Sequence, residues 1–278
     1  PMIHIGAVSL GWSGHTLPEV FTQLSEMGGT CIEINGNTER HHGLRLTKTT
    51  IPQVKAWAEE AGLTINSLSG YCDFAQTDAA TLETEIERLL VTCRVAAAMD
   101  IPVVRAFTGD IKPGITLAAV RANIIAAFRA ACTEAADLGV TLGIENHGRL
   151  INDGPALVQL VDEVGADNLG FTIDTGNFAW AGHNLAQVRA DFEALAPRAV
   201  NVHIKDGVWT GSDFTFVPAG EGDLPLAWLI ETLVAGDYDR TICSEYEGAG
   251  DFSECTAKSI AYLKTALAHA LGEAAQSA

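Results

Sequence analysis

Basic residues are scarce in this chain. Its 278 residues include 17 Lys and Arg against 35 Asp and Glu, a formal net charge of -18, and the basic residues form no cluster. A surface that negative repels phosphate backbones and anionic headgroups, which argues against nucleic acid and membranes as partners. Every apolar stretch is interrupted by charge well short of the roughly 20 residues that cross a bilayer. The six cysteines, at 31, 72, 93, 132, 243 and 255, lie far apart with no CxxC pair. That excludes a compact disulfide framework and fits reduced thiols in a cytoplasmic protein. No GxGxxG follows the first strand-like run, which speaks against a dinucleotide fold. No leader pattern is expected either, because residues 2–10 read at once as a strand; Pro1 is left outside the fold argument. There is no composition break and no low-complexity linker, so one domain is expected over residues 2–271, with 272–278 as a flexible C-terminal tail.

What the chain does have is a regular alternation. Strand-like runs are read at 2–10, 31–35, 64–69, 103–108, 141–147, 169–175, 199–205 and 241–247. Between and after them lie helical patterns at 16–27, 50–61, 81–99, 116–138, 154–164, 185–196, 224–235 and 254–270. Thr16, Thr81 and Thr116 are positioned as N-caps, with Glu19 and Glu83 adding negative charge to first turns. Pro18 and Pro52 sit at helix starts, where a missing N–H costs nothing. Gly28, Gly62, Gly139 and Gly165 follow helices, where a left-handed residue is wanted. Eight strands each followed by a helix predict an α/β fold of the single (β/α)8 TIM-barrel type. The stretch from Gly207 to Asp223 reads as one long irregular loop after strand seven, a lid candidate.

In such a barrel the chemistry gathers at the C-terminal ends of strands. Four consecutive strands end in ionisable residues: Ile144-Glu145-Asn146-His147, Ile173-Asp174-Thr175-Gly176-Asn177, Val202-His203-Ile204-Lys205 and Ser244-Glu245-Tyr246-Glu247. Side chains alternate faces along a strand. With Ile144, Ile173, Val202 and Ile204 packed outward, Glu145, Asp174 and His203 point into the mouth, and His147, Lys205 and Glu247 lie one layer higher. Carboxylates converging on one small cavity repel one another unless a cation sits between them. Three carboxylates and one imidazole, Glu145, Asp174, His203 and Glu245, make a set suited to Mn²⁺, with Mg²⁺ or Co²⁺ as alternatives.

At these residues the chain resembles the sugar phosphate isomerase/epimerase family of the xylose-isomerase-like TIM barrel superfamily. The resemblance is carried by LGIENHG (142–148), LGFTIDTGN (169–177), VNVHIKD (200–206), GEGDLP (220–225) and SEYEG (244–248), in the family's order. It implies that Glu145, Asp174, His203 and Glu245 ligate the metal, which holds adjacent oxygens of a keto- or hydroxy-sugar. There are departures. Asn177 stands where ketose 3-epimerases and endonuclease IV carry a histidine, and Lys205 follows the metal histidine where the epimerases carry an arginine a little further on. The further histidines of a three-zinc DNA-repair site are missing.

The expected activity is a metal-dependent isomerase or epimerase acting on a keto-sugar or related carbohydrate through a metal-stabilised enediolate. Glu145 and Glu245 would move the C–H proton on opposite faces. The alternative is a lyase, either a dehydratase or a 3-keto-glycoside eliminase, with His147 as acid/base. Lys205, Arg105, Glu33, Asn177, Glu247 and Trp12 are the candidate substrate-binding residues. His15, the pair His41–His42 and Trp209 are weaker rim candidates. The partner is a small carbohydrate; a homo-oligomer or a second subunit is left open.

Overall fold

The computed structural model describes residues 2–12, 14–36 and 44–277, with side chains to residue 272. His41 and His42 therefore lie outside the described residues. Eight strands close into one parallel barrel: β1 (His4–Val8), β2 (Cys31–Asn35), β3 (Thr64–Ser69), β4 (Val103–Ala106), β5 (Thr141–Glu145), β6 (Leu169–Asp174), β7 (Ala199–Ile204) and β10 (Thr241–Ser244). Sequence neighbours pair side by side, and β10 seals the ring between β7 and β1. Helices α1 (Leu17–Glu26), α2 (Ile51–Glu60), α3 (Ala79–Ala98), α4 (Leu117–Asp137), α5 (Gly154–Val164), α7 (Leu185–Leu195), α8 (Leu226–Ala235) and α9 (Phe252–Ser277) wrap the outside. Among the described residues no helix is long and apolar enough to cross a membrane.

Local chemistry explains the boundaries. Thr16 and Glu19 form a capping box at α1, and Thr116 accepts from Ala119 N at α4. The cap of α3 is Asp78 rather than Thr81; its carboxylate accepts the Thr81 N–H at 2.8 Å, so the helix starts two residues earlier than expected. Gly28, Gly62, Gly139 and Gly165 all have φ between 70° and 81°, which only glycine adopts without strain. The last helix continues to Ser277, through most of the segment read as a tail.

Two elements differ from expectation. Residues 207–223 are not one loop: β8 (Asp206–Thr210) and β9 (Asp213–Val217) pair antiparallel across a Gly211-Ser212 turn. A short helix, α6 (Thr175–Trp180), follows β6 directly.

The greasy core lies between strands and helices, with Phe21, Phe74, Phe128, Phe171, Phe178 and Phe192 fully buried. The inside of the barrel is different. Its inward positions carry small or polar residues, among them Gly6, Cys31, Ser67, Gly143, Gly170, Thr172, Asn201 and Cys243. The space is tight: a Cβ on Gly6 would lie 1.8 Å from the Cys31 carbonyl oxygen, and one on Gly143 2.5 Å from Thr172 Oγ1. Small residues low in the barrel leave its upper end to the charged side chains.

Candidate metal centre

Register places the charged residues. Asp174 on β6 lies beside His203 on β7, and His203 beside Cys243 on β10. Glu245 follows the end of β10, its backbone N–H bonded to the Ile204 carbonyl at 2.9 Å. Glu145 closes β5. The expected parity holds: one ligand atom each from Glu145, Asp174, His203 and Glu245 lies within 4.8 Å of the others, and all four residues are buried.

Each of these side chains is oriented by a neighbour. Asp174 caps α6, its Oδ1 accepting from Gly176 N and Asn177 N at 3.0 Å each, which leaves Oδ2 to face the cluster. Asn146 brackets the Asp174 backbone, donating to its carbonyl and accepting from its N–H. His203 Nε2 lies 2.9 Å from Glu33 Oε2, so this nitrogen is directed downward and Nδ1 upward, toward the cluster. Glu145 accepts from Arg105 Nη1 at 2.8 Å and Asn177 Nδ2 at 3.0 Å. Asp174 Oδ2, His203 Nδ1 and Glu245 Oε2 are buried and held by ion-pair contacts: His203 Nδ1 lies 3.3 Å from Glu245 Oε2, and the Lys205 ammonium faces both carboxylate oxygens. Carboxylates this crowded repel one another, and a cation shared between them offsets that cost. The donor set fits a hard divalent ion, so these residues could hold a metal.

The electrostatics show how crowded the site is. Burial would lower the His203 imidazole, but the Glu33 and Glu245 charges outweigh it and hold it well above its usual range. Burial likewise pushes Glu33 up, while His203 and Arg105 bring it down to about 2. Lys205 Nζ lies 2.9 Å from Asp174 Oδ2, 3.3 Å from Glu245 Oε2 and 3.1 Å from Glu247 Oε2. Those carboxylates keep the ammonium charged against its burial.

The other predicted residues separate into three groups. Lys205, Asn177 and Arg105 reach the cluster, although Arg105 is bound to Glu145 and held 4.1 Å from the Phe107 ring centroid and 4.8 Å from that of Tyr71. Glu247 and His147 stand exposed at the mouth, the imidazole packed on Phe107 with centroids 4.3 Å apart. Glu33 and Trp12 do not face a substrate. Glu33 is fully buried beneath the cluster, accepting from Ser67, Ser69 and Asn201 besides its contact with His203, so no free oxygen points to the mouth. Trp12 is 1% exposed: the turn Ser9–Gly11 folds it inward against Phe252, and its indole donates to Gln23. His15 is half-buried on the following turn, and Trp209 packs on Phe214 within the hairpin.

Several working residues were not singled out from the sequence. Asn201 lies two before His203 on the same face and could have been found by parity. Asp206 could not: its carboxylate accepts the backbone N–H groups of Gly207, Gly220, Gly222 and Leu224, rooting both the hairpin and the GEGDLP segment. Gly176 is required because a Cβ there would lie 2.6 Å from Lys205 Cβ and 2.8 Å from the Phe216 ring.

The profile of the xylose isomerase-like TIM barrel family matches residues 21–266. The chain belongs to that family. Among solved structures, this xylose isomerase-like barrel superposes on L-ribulose 3-epimerase with a TM-score of 0.81 at 18% identity, covering 100% of this chain and 98% of the other. A xylose isomerase-like TIM barrel protein from Mycobacterium smegmatis in complex with magnesium gives 0.79 at 16%, covering 96% and 97%. The probable 3-DHS dehydratase AsbF from Bacillus anthracis gives 0.77 at 18%, covering 95% and 99%. At such identities the likeness establishes the fold. An uncharacterized protein of Methanocaldococcus jannaschii, MJ1311, is 29% identical over 121 residues, a match spanning 42% of this chain and 40% of that protein.

Proposed function

We propose that this barrel is a divalent-metal-dependent isomerase or epimerase of a keto-sugar or related carbohydrate, with Mn²⁺ as the preferred ion in a cytoplasmic protein. The observation that carries the reading is the convergence of Glu145, Asp174, His203 and Glu245, with one ligand atom of each within 4.8 Å of the others. A bound divalent ion supplies Lewis-acid polarisation of a carbonyl and its neighbouring hydroxyl, which acidifies the C–H between them.

The chain's own residues supply the rest. Glu145 and Glu245 approach from opposite walls, since β6 and β7 stand between β5 and β10 in the ring. One carboxylate takes the carbon-bound proton and the other returns one to the opposite face. Arg105 and Asn177 fix Glu145 in place, and Lys205 and Asn177 stand ready as donors to sugar oxygens. Phe107 and Tyr71, which hold Arg105, give the mouth an apolar side wall. The test is C–H exchange in D₂O by the Mn²⁺-loaded protein against a panel of keto-sugars. Exchange without a change in ultraviolet absorbance is expected; no exchange on any of them would sink the reading.

A second reading, a lyase, is favoured by one specific observation. His147 stands two residues past Glu145, beyond the end of β5 and outside the cluster, exposed and seated on Phe107, where it can serve a leaving group. A new ultraviolet band or a released aglycone from 3-keto-glycosides would select it.

A further inference from the structure

Lys205 is unusual among the cations of this chain. Its side chain is only 4% exposed, and its ammonium faces the same two oxygens, Asp174 Oδ2 and Glu245 Oε2, that the metal set would use. The base of the residue cannot move. Thr175 Oγ1 donates to the Lys205 carbonyl at 2.6 Å and accepts its N–H at 2.9 Å, and the missing Cβ of Gly176 gives room to the lysine stem. Only the outer methylenes are free to turn. Their outward direction is marked by Glu247, whose side chain is 45% exposed and lies 3.1 Å from Nζ.

We infer, from the metal set proposed above and independently of the sugar chemistry, that Lys205 is an internal counter-cation that exchanges places with the divalent ion. In the metal-free protein its ammonium neutralises Asp174 and Glu245, which otherwise repel each other in a buried site. A divalent ion that closes on Oδ2 and Oε2 takes the lone pairs Nζ now faces and repels the ammonium. Lys205 then turns outward along Glu247, and its charge is presented at the mouth. Metal loading and delivery of a substrate-facing cation become one event. Lys205 is thus a positioning residue for the metal set before it is a donor to the substrate.

Exchange carries a sign that a merely structural lysine would not. Removing a competitor tightens metal binding, whereas removing a structural support loosens it. For Lys205→Met, Mn²⁺ titration calorimetry should show binding about tenfold tighter or more, and the metal-free protein should melt at a lower temperature than wild type. Once loaded, the variant should melt close to loaded wild type. Unchanged or weaker Mn²⁺ binding by Lys205→Met overturns the inference, as does a metal-free melting temperature equal to or above wild type. Glu247→Gln decides the matter where Lys205→Met does not fold. Without its outward partner the ammonium stays among the ligands, so Mn²⁺ should bind about three- to tenfold more weakly; wild-type affinity overturns the exchange. Both readouts are separate from catalysis. A wild-type protein that binds Mn²⁺ but exchanges no C–H proton removes the isomerase reading and leaves this one intact, and the converse holds for the variants.

Discussion

Nε2 of His203 lies 2.9 Å from Oε2 of Glu33 at the floor of the mouth, so a fully buried carboxylate decides which imidazole nitrogen faces Glu145, Asp174 and Glu245. Glu33 can do this because Ser67, Ser69 and Asn201 hold both of its oxygens. Replacing it by glutamine keeps the shape and removes the charge. Glu33→Gln should therefore weaken Mn²⁺ binding by about 10- to 100-fold with the fold retained, as other partners of metal-bound histidines do. A calorimetric titration that shows wild-type affinity would assign Glu33 to packing alone.

The two carboxylates proposed for proton transfer differ in their surroundings. Glu145 has both oxygens engaged by Arg105 and Asn177, whereas Glu245 Oε2 is held by ion pairs to His203 and Lys205 at 3.3 Å each. Glu145→Gln and Glu245→Gln should each lower turnover by about 10²- to 10⁴-fold or more. The measurement is single-substrate kinetics on metal-loaded variants. Near-wild-type rates with metal still bound would take both residues out of the chemistry.

His147 separates the two reactions. It touches Phe107 and none of the metal set, so His147→Ala should leave C–H exchange nearly unchanged in an isomerase and abolish product release in a lyase. Comparing deuterium incorporation with aglycone release in the same variant gives the answer.

Stripping the metal should be visible in stability. At an ion concentration a hundredfold above Kd, binding adds about 2.7 kcal/mol, which a chelator removes with a matching fall in Tm. Loading should also release protons. Against its burial, the Glu33 and Glu245 charges hold the His203 imidazole well above its usual range, and its Nδ1 must lose a proton before it can ligate. Calorimetry in buffers of different ionisation enthalpy should find net proton release at neutral pH; none would refute this.

The barrel interior gives a prediction on stability alone. Gly6→Ala places a methyl group against the Cys31 carbonyl oxygen and its Sγ, at 1.8 Å and 2.7 Å before any shift. Overpacking of that kind costs about 1–3 kcal/mol. Urea denaturation should show a lower midpoint with an unchanged slope.

The barrel and the metal set were legible in the sequence for two separate reasons. Strand and helix periods differ, so alternating runs announce the fold, and inward parity at strand ends brought out Glu145, Asp174, His203 and Glu245. Parity could not tell a mouth residue from a floor residue, which is why Glu33 was expected to bind substrate and proved to be buried. Trp12 was misplaced because a single turn after β1 reverses its side chain into the core. The hairpin went unread because its strands are five residues each with little apolar alternation, although Gly211 at its turn is a usual hairpin signal. Asp206 was read only as the last residue of VNVHIKD; its role stayed hidden, since backbone N–H groups gathered from residues up to 18 positions away leave no pattern.

That last residue has an architectural consequence. One side chain grips the hairpin at its root and the return segment at Gly220, Gly222 and Leu224, while the tip at Gly211-Ser212 projects into solvent. Its root is fixed directly after β7, and Phe216 carries it against Lys205 and Gly176. The tip is thus an exchangeable cassette, whose residues can change without disturbing that root.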